Sequence, residues 1–166
     1  FIRTTEKRHV DVVQNILQKV YDKGDIYEDN YEGLYSVSEE RFITEKEADS
    51  GHFRDIKKLK EKNYFFKMSK YQEKLISHIE NNSRFIQPVH RKNEVLGFLK
   101  SPLNDLCISR PKSRLNWGIE LPFDSDYVTY VWFDALINYV SALGFDSDEK
   151  KYNTYWPANL HLIGKD

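Results

Sequence analysis

Val128-Thr129-Tyr130-Val131-Trp132-Phe133-Asp134-Ala135-Leu136-Ile137-Asn138-Tyr139 passes from a strand pattern directly into a helix pattern. The first half is β-branched and aromatic, which suits a pleated, half-buried strand. From Phe133 to Leu143 the spacing is helical, and Gly144 stands where a helix closes on a left-handed residue. Trp132, Ala135, Leu136 and Tyr139 fall at i, i+3, i+4 and i+7 and so share one helix face. A large ring, a small gap, an aliphatic wall and a phenol suit a flexible thioether, because sulfur packs well near aromatic rings. The same face would also serve to pack the helix on a sheet, and periodicity alone favours that plainer use.

Working outward, Leu106-Cys107-Ile108 is a short apolar strand, and Trp117, Ile119 and Leu121 alternate. Downstream, Asp146 to Thr154 is polar and expected as a surface loop, and Leu160 to Ile163 is expected as a final buried strand. Strand, helix and strand in succession predict an α/β fold with a parallel sheet. Nearer the start, Thr4 or Thr5 is placed to cap a helix carrying Val10, Val13, Ile16, Leu17 and Val20, which ends at Lys23-Gly24. Asp25 to Gly33 is expected as a turn between short extended pieces, followed by a hairpin with Tyr35 and Phe42. Tyr64-Phe65-Phe66 predicts a buried strand. Ser69 is placed to cap a helix carrying Leu75, Ile76 and Ile79, and a second helix carries Val95, Leu96 and Leu99.

The composition narrows the function classes. With 40% apolar and 31% charged residues, the chain of 166 residues can bury a core. A formal net charge of -1 excludes a globally basic nucleic-acid binder, and no DNA partner is expected. Lys57 to Lys62 is a charge run, read first as a solvated edge or loop and alternatively as a contact to nucleic-acid phosphates. The single cysteine, Cys107, allows no intrachain disulfide and no Cys-based zinc site. No apolar run approaches the roughly 18 residues of a membrane span, so no membrane partner is expected.

Two further spots carry candidate chemistry. Arg110 follows the Leu106 to Ser109 stretch, and a guanidinium at a strand end holds a carboxylate or phosphate bidentately. The plainer use of Arg110 is a surface salt bridge. Gly164 and Asp166 follow the last apolar run, where open α/β folds bind ligands. Glycine lets the backbone approach a nucleotide and a carboxylate accepts from ribose hydroxyls, although the spacing alone reads as a plain turn.

The run YVWFDALINY at 130–139 resembles the methionine-pocket helix of class I methionyl-tRNA synthetases. Some branches of that family have proline where this chain has Leu136, and the Ala-Leu-x-Asn-Tyr form resembles the bacterial and mitochondrial branch. FIRTT at 1–5 with His9, GDIY at 24–27 and Tyr31-x-Gly33-x-Tyr35 resemble the entry into the family's connective segment. NYFFKMSKY at 63–71 resembles a stretch inside it, and DLCISR, WGIELP and HLIGKD resemble the return to the nucleotide-binding fold.

The resemblance implies part of a Rossmann-like catalytic domain with a small inserted α+β connective subdomain. It divides the chain into residues 1–25 leading into the insertion, 26–105 as the connective segment, and 106–166 as the return. It further implies that Trp132, Ala135, Leu136 and Tyr139 line the methionine pocket, that Arg110 serves activation, and that Gly164 and Asp166 contact ATP. The implied partners are methionine, ATP with Mg²⁺, and tRNA(Met), in the cytoplasm or alternatively the mitochondrial matrix.

Lys67-Met68-Ser69-Lys70 spells most of the class I Lys-Met-Ser-Lys-Ser loop, but Tyr64-Phe65-Phe66 before it and Tyr71-Gln72 after it match the connective segment instead. The family's His-Ile-Gly-His motif and its true Lys-Met-Ser-Lys-Ser loop are expected outside residues 1–166, so the chain alone is expected not to catalyse. Many relatives carry a Cys-x-x-Cys pair after the tyrosine matching Tyr35. Here Ser36 and Glu39 stand there, with Glu40 and His52 nearby, so no metal is expected. The knuckle remnant is expected to be held by Tyr35, Phe42 and Phe53. Two other classes fit some of these features: another class I synthetase of the isoleucyl, valyl, leucyl or cysteinyl type, or a non-catalytic module binding the tRNA acceptor end.

Overall fold

Helix α1 (Lys7–Asp22) buries His9, Val12, Val13 and Leu17 in one stripe. Its N-cap is Glu6 rather than a threonine, and Glu6 reaches back to accept from the Arg3 backbone N–H. Asp25 to Gly33 is not a turn. It belongs to an unbroken strand, β1 (Ile26–Ser36), which is antiparallel along its whole length to β3 (Ile56–Phe66). Eleven residues paired on one partner outweigh the weak strand propensity of Asp29, Asn30 and Gly33. β2 (Arg41–Ile43) closes the expected hairpin and sets Tyr35 opposite Phe42, and α2 (Glu45–Asp49) follows it.

The computed structural model describes residues 1–38, 41–43 and 45–164, without the side chains of Tyr31, Arg41, Phe42, Lys46, Glu47 and Leu59. Glu39, Glu40 and Asp166 therefore lie outside the described residues, as does the part expected of the Phe42 side chain.

A 3-10 turn (Met68–Tyr71) leads into α3 (Gln72–Asn81), and α4 (Val89–Leu99) follows. Ser69 caps nothing, because its hydroxyl and backbone N–H both donate to Asp105. β4 (Leu106–Cys107) pairs with the end of β3 and completes a four-stranded sheet in the order β2-β1-β3-β4.

At Ile108 the chain changes sheets. β5 (Ser109–Pro111), β6 (Glu120–Leu121) and β7 (Asp124–Thr129) form a second sheet in the order β5-β7-β6. Helix α5 (Val131–Ser141) packs its back on α1. Asp146 to Thr154 is not all loop. Asp148 caps α6 (Glu149–Tyr155) by accepting from the Lys151 backbone N–H. Gly144 closes α5 as the sequence implies, at φ +87°.

The expected parallel pairing is absent among the described residues, where every ladder is antiparallel. Residues 160–164 form no strand, and Leu162 is 92% exposed. A strand of a parallel sheet needs a paired neighbour and cover on both faces. The described residues offer this segment neither. Two units emerge: Phe1–Gly24 with Ile108–Asp166, and Asp25–Cys107.

Candidate functional site

Helix α5 starts at a fixed point. Thr129, the last residue of β7, donates its backbone N–H to Ile119, and Tyr130, the N-cap, donates its own to Ile108, both at 2.7 Å. At 3.6 residues per turn, Trp132, Ala135, Leu136 and Tyr139 then project from one side and Asp134, Ile137 and Ser141 from the other. The second side is the packed one, with Ile137 and Ser141 buried. The first faces outward: Trp132 is 55% exposed, Leu136 64% and Tyr139 46%, with Ala135 half-buried between them. Within this chain Trp132, Leu136 and Tyr139 are therefore not packed on the sheet.

The C-terminal segment returns to this face. The His161 ring meets the edge of Tyr139 at 5.3 Å and also approaches Trp156 at 5.9 Å. Trp156 in turn lies by Tyr152, and Tyr152 by Phe145, so an aromatic chain ties residues 156–161 to the end of α5. Gly164 lies three residues beyond His161. A Cβ there would meet nothing within 4 Å, so its backbone is open to approach.

Arg110 is no surface residue: it is 5% exposed. β5 and β7 pair Arg110 with Val128, and the guanidinium lies over the Tyr130 ring, 4.2 Å from its centroid. One of its terminal nitrogens donates to the Ser109 carbonyl at 2.7 Å. A planar cation stacked on an aromatic face is held in place while its remaining donors stay directional. The cation thus sits at the N-terminal end of the helix that presents Trp132. The chain brings the four α5 residues onto one face with His161 beside Tyr139, and holds Arg110 against the N-cap residue of the same helix.

Sequence reasoning missed Tyr130, His161, His9 and Asp134. Tyr130 was legible only as a strand residue, and the histidines have no telling spacing. His9 is fully buried against α5, with Nδ1 2.8 Å from the Ser141 hydroxyl. Burial holds its imidazole below the ordinary range, opposed by the nearby Asp134 backbone and the Glu6 charge. Burial also pushes the Asp134 carboxyl up to about 6.

The other chemistry-bearing stretches are structural here. Lys70 and the Tyr71 hydroxyl both bond the fully buried Asp25 carboxylate, and the Lys67 backbone N–H donates to the Asp25 carbonyl. Ser69 and Tyr27 bond Asp105. Burial would raise the Asp105 pKa, but those hydrogen bonds outweigh it and hold the carboxyl below its ordinary value. The KMSKY stretch thus straps Asp25 to Asp105, near the two ends of its unit. Lys58 and Lys62 pair with Glu32 and Glu28 on the β1–β3 ribbon, which fits a solvated edge. Among the described residues no three His, Cys, Asp or Glu side chains gather as a metal site.

Residues 1–52 and 49–166 match the family model described as tRNA synthetases class I (M). The chain belongs to this family, the class I methionyl-tRNA synthetases. It is 54% identical to the methionine–tRNA ligase of Clostridium acetobutylicum and 51% to that of Clostridium tetani, in each case over the whole chain and 26% of the relative. The chain thus spans about a quarter of the length of these curated relatives. A crystal structure of Mycobacterium tuberculosis methionyl-tRNA synthetase bound by methionyl-adenylate superposes with a TM-score of 0.85 at 42% identity, covering 99% of this chain and 34% of that one. The mixed α/β architecture expected from the sequence is therefore the family's own.

Proposed function

We propose that this chain supplies the methionine-side wall of the catalytic site of a methionine–tRNA ligase. The observation that carries the reading is the outward stripe of Trp132, Ala135, Leu136 and Tyr139 on a helix whose opposite face is packed. An aromatic and aliphatic surface left open at the end of a sheet suits a thioether side chain. Arg110, buried at the N-terminal end of the same helix, is the cation that would hold a carboxylate or phosphate. Gly164 would let the backbone approach ATP, with Asp166 accepting from its ribose. In the same reading Asp25–Cys107 is the connective segment.

The whole enzyme would join the methionine carboxylate to the α-phosphate of ATP, releasing pyrophosphate and leaving methionyl-adenylate. A 3′-terminal ribose hydroxyl of tRNA(Met) would then attack the carbonyl, releasing AMP. These residues orient the amino acid and stabilise developing charge; none of them is a nucleophile. Mg²⁺ accompanies ATP in such chemistry, but the described residues assemble no acidic cluster for it, and no step is assigned to it. Action in the cytoplasm fits the bacterial relatives. Among the described residues no helix is long and apolar enough to cross a membrane.

Trp132→Ala in the whole protein tests the reading. Methionine KM in ATP–pyrophosphate exchange should rise at least about tenfold, while the melting temperature stays within a few degrees because the ring takes no part in this chain's own core. A large loss of stability with unchanged methionine KM would show the ring to be core.

A further inference from the structure

The back of α5 is held by a buried polar contact that the proposed chemistry does not use. His9 is fully buried on α1, and its Nδ1 lies 2.8 Å from the hydroxyl of Ser141, itself buried on α5. The Asp134 backbone lies close enough to the ring to favour its protonation. Asp134 and Ser141 are seven residues apart, so they lie on one stripe about two turns long. That stripe is diametrically opposite Trp132, Ala135, Leu136 and Tyr139.

Two kinds of contact join α1 to α5, and they do different work. Val12, Val13 and Leu17 on α1 and Ile137 on α5 are buried apolar residues that favour close approach of the two helices. Apolar packing is non-directional, and ridges set into grooves select a class of crossing angle without choosing one turn of the helix over the next. A buried hydrogen bond does choose. It breaks if α5 turns or slides, and breaking it leaves a desolvated donor or acceptor. Nε2 of His9 is buried on the side of the ring away from Ser141, where the Asp134 backbone favours its protonation, and Oδ1 of Asp134 is buried without a hydrogen-bond partner among the described residues.

We infer that His9 is a positioning residue for the methionine-binding face: bonded to Ser141 from behind, it fixes the rotation and axial register at which α5 presents Trp132, Ala135, Leu136 and Tyr139. This rests on the proposed methionine-binding role of that face. Burial favours the neutral imidazole, in which one nitrogen carries the proton and the other accepts, and such a ring bonds a hydroxyl without burying a charge. The groups acting on His9 are the Glu6 charge, just before α1, and the Asp134 backbone on α5. A small turn of α5 would move all four front residues together, and misplacements of about an ångström cost binding geometry heavily.

The test uses His9→Phe, which keeps the ring volume but not the bond, together with Ser141→Ala, the double variant and His9→Gln in the whole protein. ATP–pyrophosphate exchange is followed with methionine and ATP varied separately. His9→Phe should raise methionine KM about tenfold while leaving ATP KM within about twofold. Ser141→Ala should shift methionine KM in the same direction, the double variant should be no worse than His9→Phe, and His9→Gln should recover part of the loss.

Methionine and ATP constants rising together, or a lower melting temperature with methionine KM unchanged, would overturn the inference and leave His9 as ordinary core. If His9→Phe fails to fold, Ser141→Ala decides alone, since it removes only one oxygen: a raised methionine KM supports the inference and an unchanged one sinks it. Absence of methionine-dependent exchange in the unsubstituted protein would instead refute the proposed function, and that control is read first.

Discussion

Replacing Asp134 by Asn should stabilise the protein at neutral pH and do so less and less as the pH falls. Asp134 lies in the first turn of α5, where the helix dipole favours a negative charge, yet burial outweighs this and pushes its carboxyl from the ordinary 3.8 up to about 6. A carboxyl with a raised pKa binds its proton more tightly in the folded chain than in the unfolded one. Its favourable contribution is therefore complete below about pH 3.8 and is lost as the pH rises through about 6. Above that, the folded protein bears the full cost of a poorly solvated carboxylate.

At 1.36 kcal/mol per pKa unit the gap corresponds to at most about 3 kcal/mol. Asp134 is only half-buried, so solvent screening reduces this to about 1–2 kcal/mol. Asn has the same shape and cannot ionise. Urea unfolding of parent and variant, followed by fluorescence from pH 4.5 to pH 8, should show the variant gaining about 1–2 kcal/mol across that range, mostly below pH 6.5. Following how the difference between the two proteins changes with pH removes any fixed packing cost of the amide. A difference that stays constant with pH would refute the reasoning, because Asp134 would then ionise like an ordinary carboxyl. A parent that gains on the variant as the pH rises would mean that its charge is paired.

Three further outcomes are expected. Gly144→Ala should cost about 1–3 kcal/mol in a thermal melt, since the residue sits at φ +87° and an added Cβ would lie 2.8 Å from the Asp148 Cβ; an unchanged melt would mean that the end of α5 relaxes freely. Asp25→Ala should cost about 1–3 kcal/mol by stripping Lys70 and Tyr71 of their shared acceptor, with kinetic constants for methionine and ATP unaltered. A kinetic defect at unchanged stability would return KMSK to the list of catalytic candidates. The 166-residue chain by itself should give no methionine-dependent ATP–pyrophosphate exchange, given that it spans 26% of the ligases it resembles; exchange above background would show that the remaining three quarters are dispensable for activation.

What could be read in advance depended on whether a residue's role is local. The strand-to-helix switch at Tyr130, the α5 face and the Gly144 stop are written in neighbouring residues, and periodicity recovers them. β1 was not recoverable in this way, because Asp29, Asn30 and Gly33 argue locally for a turn and only pairing with β3, some thirty residues on, makes them a strand. The same distinction separates the two kinds of site residue. Trp132, Ala135, Leu136 and Tyr139 share a face by spacing alone. The bond from His9 to Ser141 joins positions 132 residues apart and leaves no mark in either local pattern. KMSK is the converse: its local pattern looks catalytic, and its partners, Asp25 and Asp105, are distant residues that assign its lysine and serine to a strap. A motif of four residues is therefore weaker evidence than the carboxylates it meets. The residues that hold α5 in place have to be sought behind it rather than along it.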